Sequence, residues 1–79
     1  MSAEADNVVQ TEQIEIVLNG RPVQVTCGMS VAGLLAALKI EGSRVAVELN
    51  REIVRREAWA ATPVNGGATV EIVQFVGGG

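Results

Sequence analysis

The chain has no histidine and no tyrosine, one cysteine, two prolines and two aromatic residues, Trp59 and Phe75. The missing histidine removes the commonest general base at neutral pH and the commonest nitrogen ligand for metals. A lone cysteine, Cys27, makes neither an internal disulfide nor a multi-cysteine metal site. Two aromatics are a poor stacking surface for nucleic-acid bases. No apolar run approaches the ~20 residues of a membrane helix. The N-terminus lacks the basic-then-apolar pattern of a secretory signal, so the expected location is the cytoplasm. With one cysteine and scattered carboxylates there is no catalytic constellation, and a stand-alone enzyme is the least supported function class.

What remains is a chain of 79 residues, enough for one compact domain and too few for two. Its net charge of −3 is uneven. Glu4, Asp6 and Glu12 fall in the first thirteen residues, which hold no Lys or Arg. From Ile14 onward six acids (Glu15, Glu41, Glu48, Glu52, Glu57, Glu71) balance six bases (Arg21, Lys39, Arg44, Arg51, Arg55, Arg56). A balanced domain points to neither phosphate backbone nor anionic lipid as partner.

Residues 1–13 are polar and acidic with no sustained period and read as a disordered tail. The domain is expected over residues 14–76. Ile14, Ile16 and Leu18 alternate, Asn19-Gly20 is a hairpin turn signal, and Val23 and Val25 alternate again. Pro22 sits at the start of the second strand, where a missing N–H is tolerated. Val31, Leu34, Leu35 and Leu38 then form one helical face over Ser30 to about Ile40. Ser30 is the candidate N-cap, Gly42 the candidate exit, and Gly33 a candidate close approach to the sheet. Val45–Leu49 is a third strand, Ile53-Val54 a short fourth, and residues 55–60 a turn of helix carrying Trp59 as packing. Residues 62–67 form a loop, and Thr69–Phe75 is the last strand. One helix covering one face of such a sheet makes an α+β two-layer roll.

Gly77, Gly78 and Gly79 follow, at residues 77–79. Glycine has no side chain to bury and loses the most backbone entropy on ordering, so a flexible tail is expected. Composition leaves a frayed or appended end open as one reading. The other is a thin tail that threads a partner's channel and presents its terminal carboxylate for activation, so that a nucleophile attacks it in acyl transfer. A strand running almost directly into the glycines favours the second.

Several stretches together match a known family. They are Ile16-Val17-Leu18-Asn19-Gly20, Ser30-Val31 leading to Leu34-Leu35, and Val45-Ala46-Val47-Glu48-Leu49-Asn50. Ile53-Val54 with Arg56-Glu57 and Trp59 follows, then residues 70–79, from Val70 to the glycines. From Ile14 to Gly79 the chain resembles the ThiS family of sulfur carrier proteins. The resemblance implies a ubiquitin-like β-grasp fold, with a mixed four- to five-stranded sheet packed on one main helix. It implies that an E1-like adenylyltransferase (ThiF-like), using ATP and Mg²⁺, adenylates the carboxylate of Gly79, next to Gly78. A cysteine desulfurase or sulfurtransferase then supplies sulfur for a thiocarboxylate, which a thiazole synthase (ThiG-like) uses in thiamin biosynthesis. The carrier itself binds no cofactor or metal and is acted on rather than catalytic. Where the family often shows Asp-Gly-Asp before the last strand, this chain has Asn65-Gly66-Gly67-Ala68. The turn chemistry is kept and the acids are not.

Two rivals stay in view. A MoaD-like carrier for molybdopterin, or a carrier for another sulfur-transfer pathway, would keep the chemistry; the absence of proline in Phe75-Val76-Gly77 counts against MoaD. A non-catalytic β-grasp binding module would keep the fold and need no free C-terminus. Among single residues, Cys27 reads as a small buried hydrophobe rather than a sulfur-handling thiol. Arg55-Arg56 reads as a solvated face. Val17, Val73 and Phe75, with Gly77, are candidates for partner docking, because strand alternation turns the first two away from the helix. For Phe75 the alternative is a return to the core across a bulge.

Overall fold

A computed structural model describes residues 12–75. Five strands and one α-helix follow in chain order. They are β1 (Gln13–Leu18), β2 (Arg21–Thr26), α1 (Val31–Ala37), β3 (Val45–Leu49), β4 (Glu52–Val54) and β5 (Thr69–Gln74). Two 3-10 turns, Gly42–Arg44 and Arg56–Ala61, flank β3 and β4. The sheet order is β2-β1-β5-β3-β4. β5 lies at its centre, parallel to β1 and antiparallel to β3. One helix on this mixed five-stranded sheet is the ubiquitin-like β-grasp roll.

The hairpin forms as the sequence predicts. Asn19 (φ 50°) and Gly20 (φ 85°) both take positive φ, the geometry that matches the twist of the strands they join. The register pairs Ile14 with Val25 and Ile16 with Val23, so the alternating apolar residues share the inner face. Pro22 lies in an edge strand, where its missing N–H breaks no ladder.

Helix α1 begins where Ser30 caps it, its hydroxyl accepting from the Gly33 N–H at 3.0 Å. Val31, Leu34 and Leu35 are buried against Ile16, Val47 and Val70 of the sheet in one core cluster. The helix is shorter than expected. Lys39, not Gly42, takes the left-handed exit conformation, at φ 60°. Gly33 does not approach the sheet: a Cβ there would meet Met29 Cγ at 3.2 Å. Gly42 has another task, because a Cβ on it would fall 2.7 Å from Trp59 Cζ3.

Trp59 is buried and its indole N–H donates to the Val54 carbonyl at 2.8 Å. Arg56 lies over the ring, 5.6 Å from its centroid, and donates to the Gly42 carbonyl at 2.9 Å. Cation and ring attract at this distance. Arg56 therefore clasps two 3-10 turns while staying exposed, which agrees with Arg55-Arg56 as a solvated face. Arg55 is solvated, its 3.9 Å ion pair with Glu57 being exposed on both sides. Val64, inside the predicted loop, is fully buried, and its N–H donates to the Met29 carbonyl at 2.9 Å. That bond and the Ser30–Pro63 bridge tie the loop to the start of the helix.

Candidate functional site

The last strand gives the site its geometry. Val70 and Ile72 turn inward to the core, and alternation turns Thr69, Glu71 and Val73 outward. Phe75 continues that outward series and is 56% exposed, which excludes its return to the core. Val73 is 54% exposed and pairs with Ala46 of β3. Next along, Glu71 pairs with Glu48, and Glu48 pairs in turn with Ile53 of β4. Ile53 is 67% exposed. The large exposed hydrophobics of the described residues thus share the sheet face opposite the helix.

The expected docking residues do not all gather. Val17 faces outward but pairs with Thr69, four residues before Val73. At the rise of an extended strand that is about 13 Å away. Val73 and Phe75 therefore form the apolar patch nearest the tail, without Val17. Ile53 belongs to the same face and was missed. Its alternation with inward-facing Val54 was a usable signal, but the register that carries it to Glu48 is not local.

β5 is held by side chains as well as by neighbours. The Asn19 side chain accepts from the Ile72 N–H at 2.8 Å, and its amide nitrogen stands 3.4 Å from the Ile72 carbonyl. Asn50, also at positive φ (52°), accepts from the Thr69 N–H at 2.9 Å and donates its own N–H to the Thr69 carbonyl at 2.7 Å. The left-handed turns place both side chains against β5, one near each end. On the β3 side the Phe75 N–H donates to the Arg44 carbonyl at 2.8 Å. The strand is thus fixed up to the point where the tail leaves. Val76, Gly77, Gly78 and Gly79 lie outside the described residues, as do residues 1–11.

Cys27 is exposed, a correction to its reading as a buried hydrophobe. Its N–H caps the open end of the hairpin by donating to the Glu12 carbonyl, which leaves the side chain outside. That end is opposite the tail exit, since β5 runs parallel to β1. A shallow groove of about 450 Å³ at the β4 edge is lined by Leu49, Glu52, Ile53 and Arg55 among others. Among the described residues no group of three or more Cys, Asp or Glu could hold a metal ion, and no helix is long and apolar enough to cross a membrane.

The helix-backed mixed sheet is shared with a solved structure, and the sequence with a known family. The ThiS family model matches residues 9–79. The crystal structure of a thiamine biosynthesis protein (ThiS) from Geobacter metallireducens superposes with a TM-score of 0.73 at 42% identity, covering 84% of this chain and all of that one. The sulfur carrier protein ThiS of Escherichia coli is 32% identical over 84% of this chain and its own full length. A thiazole synthase from Paramagnetospirillum magneticum is 41% identical over 84% of this chain, which spans 20% of that protein's length. With the family match covering the domain and running through its last glycine, the chain belongs to the ThiS family of sulfur carrier proteins.

Proposed function

We propose that the chain carries sulfur for thiazole formation in thiamin biosynthesis, on the carboxylate of Gly79. An E1-like, ThiF-type partner activates it in the cytoplasm. The carboxylate oxygen attacks the α-phosphorus of ATP, held with Mg²⁺ by the partner, and pyrophosphate leaves. A persulfide sulfur from a cysteine desulfurase or sulfurtransferase attacks the acyl-adenylate carbon, and AMP leaves. A second thiol cleaves the sulfur–sulfur bond, and the new sulfur stays on Gly79 as a thiocarboxylate. A ThiG-type thiazole synthase then takes it.

The observation that carries this reading is the ThiS match through Gly79, on a domain whose fold is that of the Geobacter protein. The thiazole synthases that contain a segment like this chain favour the thiazole pathway over a molybdopterin one. The body of the protein supplies placement: β5 is anchored on both sides, with Val73 and Phe75 exposed beside the exit. No general base or metal is required of this chain, because the partner performs the activation.

The test is intact mass spectrometry after incubation with ATP, Mg²⁺, a ThiF-type enzyme, a cysteine desulfurase and cysteine. A gain of about 16 Da, one oxygen exchanged for sulfur, that disappears when Gly79 is deleted would establish the chemistry. No gain, with an enzyme shown to load another ThiS protein, would overturn it. Transfer to thiazole synthase but not to molybdopterin synthase would assign the pathway.

A further inference from the structure

β5 has two edges, and only one is covered to the end of the strand. Toward β3 the ladder continues through Phe75, whose N–H meets the Arg44 carbonyl. Toward β1 it stops early. The last strand pair is Leu18 with Val70, the chain then turns away at Asn19-Gly20, and the Asn19 side chain takes up Ile72. Along an extended strand, alternate residues direct their N–H and C=O groups to the same side. The backbone groups of Gln74 therefore point the way those of Ile72 do, past the Asn19 side chain. No described residue meets them.

We propose that this open edge receives an extended segment of the adenylating enzyme, which adds a strand beside Gln74. The added segment bears apolar side chains toward Val73 and Phe75 and a basic one toward Glu71. This rests on the carrier reading above. Main-chain pairing supplies affinity at a free edge, and side chains along it supply selectivity. Gln74 is five residues from Gly79, so a strand paired there sets the direction in which the carboxylate enters an active site.

Charge decides between the occupants. Glu71 has Glu48 directly opposite it, so the complementary segment is cationic at that position. Arg44 stands on the far, β3 side of β5. A second copy offers no such segment: its β5, Thr69–Gln74, holds Glu71 and no base, its edge strand β4, Glu52–Val54, holds Glu52 and no base, and the outward residues of its other edge strand β2, Pro22, Gln24 and Thr26, are uncharged. The chain's own leader is no better suited. It has Glu4, Asp6 and Glu12 without a base, and it joins the fold at the opposite end of the sheet.

The experiment is residue-resolved amide exchange by NMR on the full chain, alone and with a ThiF-type adenylating enzyme and a non-hydrolysable ATP analogue. Alone, the Gln74 amide should exchange rapidly and the Phe75 amide slowly. In the complex, exchange at Gln74 should slow by at least about tenfold while Phe75 changes little. Unchanged exchange at Gln74 in a complex that co-elutes would overturn the inference and leave the carrier reading standing. Failure to form any complex, together with no sulfur loading, would overturn both. Protection of Gln74 in the free chain would overturn it too, assigning the edge to the leader if deleting residues 1–11 removes the protection, or to a second copy if it rises with concentration. As a second line, Gln74→Pro removes the edge N–H and no bond to β3. It should raise KM for adenylation about tenfold above that of Gln74→Ala, which keeps the N–H, with the melting temperature kept. Equal KM values for the two variants would sink the proposal.

Discussion

Glu48 and Glu71 stand directly opposite one another in the β3–β5 ladder, two carboxylates side by side on the outward face of the sheet. Like charges in that position destabilise an antiparallel pair. Glu71→Gln should therefore raise unfolding stability by about 0.2–1 kcal/mol in low salt. The gain should shrink as salt screens the pair. Urea denaturation at two ionic strengths reads both effects, and a loss of stability would refute the assignment.

The Asn19 side chain acts as a substitute strand residue for β5, and two glycine and alanine variants separate its two jobs. Asn19→Gly keeps the positive φ and removes the bonds to Ile72, at a cost of about 1 kcal/mol. Asn19→Ala adds the penalty of a left-handed Cβ, a further ~1 kcal/mol. Equal stability of the two variants would show that the turn conformation is not what Asn19 supplies.

Two glycines should respond in opposite senses to alanine. At Gly42 the new Cβ would lie 2.7 Å from a Trp59 ring that is itself held by the Val54 carbonyl, so a loss of about 1–3 kcal/mol is expected. At Gly33 the obstacle is the flexible Met29 side chain, at 3.2 Å. There the gain in helix propensity, up to ~1 kcal/mol, should prevail. Thermal melts of the two variants decide each sign.

Cys27 should react with a thiol reagent under native conditions, as its exposure requires. Cys27→Ser should change stability by no more than about 0.5 kcal/mol. Under the proposed function the same variant should still gain the ~16 Da of sulfur loading, because that reading puts the sulfur-accepting acyl group on Gly79 and not on the thiol. Loss of loading would give the thiol a part in the chemistry.

The outward patch is expected to be local. Val73→Ser and Phe75→Ser should each raise KM for adenylation about tenfold, as buried apolar anchors at an interface do. Val17→Ser, about 13 Å back along the strand, should leave KM unchanged. Steady-state adenylation with each variant tests the separation.

The parts legible in the sequence are those set by neighbours in the chain. Asn19-Gly20 announced its turn, Ser30 its cap, and the alternation from Ile14 to Leu18 its inward face, since each depends on residues a few positions apart. What escaped depends on partners far along the chain. The placement of Val17 opposite Thr69 is a register across 52 positions, and no local period encodes it. Val64 looks like loop and is buried, because Met29 and the start of the helix close over it. Gly42 looks like a helix exit, and its real constraint is the indole of Trp59. For the site, the outward positions of Val73 and Phe75 were readable from strand alternation, whereas the β5 edge beyond Asn19 needed the sheet order.

The central position of β5 also has a mechanical side. Under the proposed function, a partner that grips the glycine tail would pull straight on Thr69–Gln74, a strand flanked by β1 and β3 and tied by Asn19 and Asn50. A force along such a strand loads its neighbouring bonds together, in shear. A tail attached to the edge strand β2 or β4 would instead let bonds open one after another, as in peeling. The topology therefore suits a protein that is drawn into one active site, withdrawn, and drawn into the next while its fold stays closed.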